Sequence, residues 1–255
     1  MFAWPLIRYV CTAAIRDRLI IAMLGLMLVA GVLSILLSGA AVVEQAQFSL
    51  ASLASSLRII AVIGLVVFIS FFQHRAHETR EIDYLLATPI GRYRYLFSHA
   101  MAMMILSLFL AIIMGLVIAL LQRQISPALF YWVSSAFVEI NLTATFTLFL
   151  STRLRSATVC TLLALAFYSL ARLLGALIGV IDNHIIDHIK GIAIFKYGID
   201  VMAVIIPRFD LMAQSQWLIY QQVDGITPLL IAGQWGAFTA LFLACAAFDL
   251  RRNQF

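Results

Sequence analysis

Glu139 and Arg172 are the residues best placed to do chemistry in this chain, because each interrupts an otherwise apolar run. A carboxylate at the centre of a membrane helix costs about 2.5–3.5 kcal/mol on insertion scales, so Glu139 must face protein or water. Asn141, Thr143, Thr145 and Thr147 extend a polar stripe from it. Arg172 lies at a similar depth in the following run, each residue being roughly 9–10 positions from the same end at about 1.5 Å of rise per residue. A Glu139–Arg172 pair is therefore expected. It either ties two helices together or, with Asn141 and Thr143, lines a substrate path.

Other groups with chemical potential are sparse. His184 and His188 are four apart, with Asp182 and Asp187 beside them, which suits two imidazoles on one helical face, for a metal ion or as solvated surface. His74 and His77 read as headgroup or partner contacts. Arg58 falls near the outer end of its run and is expected to reach outward along its methylene stem. Cys11, Cys160 and Cys245 fit neither a disulfide frame nor a metal knuckle and read as packing residues. The chain has no G-x-x-x-x-G-K-[ST] phosphate cradle, no G-x-G-x-x-G and no G-x-S-x-G elbow, so ATP-driven work would need another chain.

The elements that must position these residues follow from composition. The chain is 64% hydrophobic and 11% charged, with a mean hydropathy of +1.02. Its apolar runs are continuous rather than alternating, which selects helices over a barrel. Six spans are drawn, at about 19–43, 53–73, 95–121, 129–151, 157–181 and 227–248, in an all-α membrane protein of one domain, residues 1–255. Arg8, Arg16, Arg18, Arg75, Arg80, Arg92, Arg94, Arg153, Arg155, Arg251 and Arg252 then fall on one side, which the positive-inside bias makes cytoplasmic along with both termini. The net charge of +5 follows from this topology and does not mark a nucleic-acid site.

Three segments outside the spans carry pattern. Residues 2–18 read as an amphipathic helix along the inner leaflet, with Arg8, Thr12 and Arg16 on one face, Leu6, Val10 and Ala13 on another, and Trp4 as anchor. The apolar run after it is longer than a signal-peptide core, so a retained span is expected. Residues 182–226 read as short re-entrant or interfacial helices broken at Pro207, with Trp217 and Tyr220 in the headgroup layer; a seventh span at 191–206 would be short and carry Lys196 and Asp200. Within the fifth span, Gly175 and Gly179 form a G-x-x-x-G run suited to a dimer face or to packing within one subunit. Between the second and third spans, Glu78, Glu81 and Asp83 make an acidic helix whose Ile82, Leu85, Leu86 and Pro89 form an apolar ridge. Thr88 and Pro89 can start the next helix before Arg92. Such a helix can fill a groove on a soluble partner and pass its movement to two spans.

The stretch Glu81-x-x-x-Leu85-Leu86-Ala87-Thr88-Pro89-Ile90-x-Arg92, with six spans and an N-terminal interfacial helix, resembles the permease subunits of ATP-binding cassette exporters of the type-two (ABC-2) superfamily. Where that family often has Gly-Thr, this chain has Arg80-Glu81. The resemblance implies that 75–92 is the coupling helix, with Glu78, Glu81, Ile82, Leu85, Leu86, Pro89 and Arg92 docking on a separate ATPase. Residues 2–18 would be the elbow helix, and 182–226 extracytoplasmic half-helices near the exit. It also implies a bacterial inner-membrane protein that does no covalent chemistry, working as a homodimer with two ATPase copies. ATP and magnesium would be held by the ATPase and no cofactor by this chain. The competing readings are a secondary transporter or assembly subunit without an ATPase, and an intramembrane enzyme.

Overall fold

The computed structural model describes residues 4–38, 45–79, 92–154, 156–181, 192–223 and 227–252. Along these run α1 (Trp4–Arg16), α2 (Arg18–Ser38), α3 (Gln45–Glu78), α4 (Arg92–Gln122), α5 (Pro127–Arg153), α6 (Ala157–Ile181), α7 (Ile192–Ile205), α8 (Ser215–Tyr220) and α9 (Thr227–Arg252), with a single 3-10 turn at Phe209–Leu211 and no strand among the described residues. Five stretches are long and apolar enough to cross a membrane: Gln47–Ala76, Tyr93–Gln122, Pro127–Arg153, Ala157–Ile178 and Pro228–Asp249. α1 and α2, bent by 55° at their junction, make a sixth when taken together. Helices of this length satisfy their own backbone in lipid, and the chain is a helical multi-pass membrane protein.

The periodicity of α1 has the expected consequence. Leu6, Ile7, Val10 and Ala14 are buried, whereas Arg8, Thr12 and Arg16 are exposed. Its apolar face packs across α4.

α5 is the hub of the bundle, touching α3, α4, α6, α8 and α9. Pro127 occupies its first turn and the Ser126 hydroxyl accepts from the Leu129 N–H at 3.3 Å, so the helix starts where the sequence places a cap. Every residue from Val138 to Thr145 is buried, which places all faces of this stretch against protein. That is why a helix carrying Glu139, Asn141 and three threonines can stand inside an apolar bundle. Phe146 of α5 stacks on Phe167 of α6 with centroids 3.9 Å apart, and Phe242 of α9 closes the cluster at 5.2 Å from Phe146. By contrast α2, α6 and α9 turn Leu28, Val32, Leu162, Leu173, Leu229 and Leu241 outward, as helices facing lipid do.

The connection between α6 and α9 departs from one expectation. At 14 residues the described helix α7 spans about 21 Å, short of a hydrocarbon core of about 30 Å and in keeping with the short helices expected there. After Pro207 the chain enters the bundle. Phe209, Met212 and Ala213 are fully buried, and so are Trp217 and Leu218 at 5% and 2% exposure. Trp217 therefore packs in the core, against the headgroup position its type suggested; Tyr220, 65% exposed, remains at the surface. α6 makes room for this insertion at Gly175, where any Cβ would overlap the Asp210 side chain. Gly175 thus packs within the subunit.

Candidate functional site

Glu139 is completely buried and receives three side chains from two neighbouring helices, α3 and α6. The Tyr168 hydroxyl of α6 donates to its Oε1 at 2.8 Å. Arg58 of α3 brings Nε to 3.6 Å from Oε1, and Arg172 of α6 brings Nη1 to 3.6 Å from Oε2. The expected Glu139–Arg172 pair is present, but it is half of a triad in which two guanidiniums face one carboxylate.

Arg58 is a correction. Its side chain is 8% exposed and points into the protein. The reason lies in where α3 begins: the helix starts at Gln45 rather than near 53, so Arg58 is several turns inside and cannot reach an end by extending its stem.

Both arginines also grip the backbone of the inserted turn. Arg58 Nη1 donates to the Ala213 carbonyl at 2.9 Å. Arg172 Nη1 donates to the carbonyls of Phe209 and of Met212, the latter at 2.8 Å. Ser135 of α5, one turn before Glu139, accepts from the Ala213 N–H at 2.6 Å. Ala213 itself lies in the left-handed region at φ 47°, an unfavoured conformation for a residue with a Cβ, held here by bonds to both its N–H and its carbonyl. Arg208 and Asp210 pair within the turn at 2.9 Å. Glu139 thus orients two arginines, and the arginines fix the turn. The arrangement is a clamp on an inserted loop, with two guanidiniums sharing one carboxylate.

The polar stripe of α5 divides into two kinds of residue. Thr143 donates to the Glu139 carbonyl at 2.9 Å, Thr145 to the Asn141 carbonyl at 3.1 Å and Thr147 to the Thr143 carbonyl at 2.7 Å, so the threonines satisfy themselves on their own helix. Asn141 reaches another span: its Oδ1 accepts from Trp235 Nε1 of α9 at 2.9 Å, while its Nδ2 has no hydrogen-bond partner among the described residues. Trp235, Phe137, Tyr131 and Trp217 line a small cleft of about 190 Å³ beside this contact.

Of the residues expected to couple to a partner, Glu78 ends α3, is exposed and pairs with His74 at 3.3 Å. Arg92 is the first residue of α4. Glu81, Ile82, Leu85, Leu86 and Pro89, with Asp83 and Thr88, lie outside the described residues, as do His184 and His188 with Asp182 and Asp187. Among the described residues no group of three His, Cys, Asp or Glu side chains could hold a metal ion. Cys160 is buried, Cys11 partly so, and Cys245 is exposed rather than packed.

Tyr168, Ser135 and Trp235 were missed from sequence, and Arg58 was misplaced. Two carried a signal: Ser135 precedes Glu139, and Tyr168 precedes Arg172, by four residues, the spacing that puts side chains on one helical face. Arg58 and Trp235 carried none, because their partners lie on other helices far along the chain. Among known proteins, no family model and no curated protein sequence matches the chain.

Proposed function

We propose that the chain is the permease subunit of an ATP-driven exporter, moved by a separate ATPase that binds the 75–92 connection. One observation carries this reading. α3 and α4 are unbroken helices of 34 and 31 residues, both packed on the central α5, and the connection carrying the Leu85-Leu86-x-x-Pro89 ridge joins them directly. A push on that ridge is delivered to two long core helices together. The bent α1–α2 pair and the short helices between α6 and α9 agree with the elbow and exit elements of ABC-2 permeases. Two copies of the chain and two ATPases would enclose one path in the bacterial inner membrane, with both termini cytoplasmic. Binding energy at the ridge must differ between the closed and open ATPase states for work to be done.

The test is co-purification of an ATPase subunit with the tagged permease. The parent should retain it and Leu85→Asp should lose it while remaining folded. Retention by Leu85→Asp, or labelling of a cysteine at 85 from the extracytoplasmic side, overturns the reading. A second reading, a secondary transporter without an ATPase, draws on the buried charge cluster of Glu139 and two arginines in the middle of the bundle. It requires substrate movement driven by an ion gradient alone in vesicles containing this chain.

A further inference from the structure

At the end of the bundle away from the Glu139 clamp, the 55° bend between α1 and α2 opens a cleft of about 470 Å³ against the C-terminal part of α3. The volume is that of a small-molecule site. Its charged lining is Arg16, Asp17 and Arg75, with Tyr9 and Thr12 as further polar residues and Phe72 among the apolar ones. Arg16 closes α1 just before the apolar run of α2, and Arg75 sits one residue from the end of the apolar stretch of α3. Both guanidiniums therefore lie at one boundary of the apolar layer, the depth of lipid headgroups. Neither takes part in an ion pair among the described residues, whereas Arg58, Arg153, Arg172 and Arg208 all do.

We infer that this cleft binds the phosphate of a phospholipid headgroup. Arginine presents a planar fork that matches phosphate oxygens, and basic pockets between membrane helices recruit such headgroups. Two guanidiniums against the Asp17 carboxylate leave one positive charge, which matches the single negative charge of a phosphodiester better than the higher charge of free inorganic phosphate. The apolar wall at Phe72 meets the glycerol and the first methylenes. The bound lipid wedges the α1–α2 joint against α3 and holds α1 at the membrane surface.

The test is native mass spectrometry of the full chain, released from mild detergent with added phosphatidylglycerol. The parent should keep one lipid that survives detergent removal. The variant Arg16→Gln/Arg75→Gln should bind it about thirtyfold more weakly, since each of the two arginines contributes about 1 kcal/mol to anionic lipid binding. Arg8→Gln, on the same face of α1 but two turns before Arg16 and outside the cleft lining, should leave it within about twofold. Thr12→Trp, which fills the cleft while keeping both charges, should also lose the lipid and decides the matter if the double variant does not fold. Inorganic phosphate at millimolar concentration should not displace the lipid. Unchanged retention by either variant, or displacement by inorganic phosphate, overturns the inference.

Discussion

Replacing Glu139 by Gln isolates the electrostatic role of the clamp, because shape and the Tyr168 hydrogen bond are retained while the charge is removed. Two guanidiniums, 8% and 25% exposed, then face no carboxylate. Breaking a buried ion pair by removing one partner costs about 3–5 kcal/mol. The Tyr168 hydroxyl can still donate to the amide oxygen, which retains about 1 kcal/mol, so a net loss of about 3 kcal/mol is expected. For a chain of this size each kcal/mol moves the unfolding midpoint by about 2–4 °C, giving a fall of about 6–12 °C. Tryptophan fluorescence on heating in detergent reads it, since Trp217 follows the clamped turn closely and Trp235 touches Asn141. In Glu139→Gln/Arg58→Gln the imbalance returns to one uncompensated guanidinium, as in the parent. The double variant should therefore recover at least about 1 kcal/mol relative to the sum of the singles. A shift under about 2 °C for Glu139→Gln, or strictly additive losses, would refute the clamp. A Glu139→Gln protein that assembles normally yet no longer transports would instead give the carboxylate a role in the path.

Trp235→Phe leaves Asn141 without a hydrogen-bond partner on either amide atom, and should lower stability by about 1–3 kcal/mol, measured by the same melting assay. Gly175→Ala drives a methyl into Asp210 and should cost about 1–3 kcal/mol through displacement of the 208–213 turn; faster proteolysis between α7 and α8 would report that displacement. Arg153→Gln breaks a 2.5 Å contact with Asp249, but the arginine is 63% exposed, so the loss should stay at or below about 1 kcal/mol and shrink in high salt.

The amino-acid order alone marked the five helices long and apolar enough to cross a membrane, since any backbone in hydrocarbon must bond to itself and about 20 apolar residues are needed to do so; the span drawn at 19–43 reaches that length only together with the bent α1. It also marked Glu139 and Arg172, because charge in an apolar run is costly enough to demand a partner. The amphipathic character of α1 was legible from its 3.6-residue period. What the order could not supply was the identity of the partners. Arg58 looked like an outward-reaching side chain because the start of its helix is blurred by the polar residues before it, and Trp217 looked interfacial because an aromatic beside a short helix usually is. Their true positions depend on the 207–218 segment folding back into the bundle, 155 residues along the chain from the arginine that holds it. Local periodicity has no reach over that distance; only the packing of α3, α5 and α6 around the turn brings the two guanidiniums to one carboxylate.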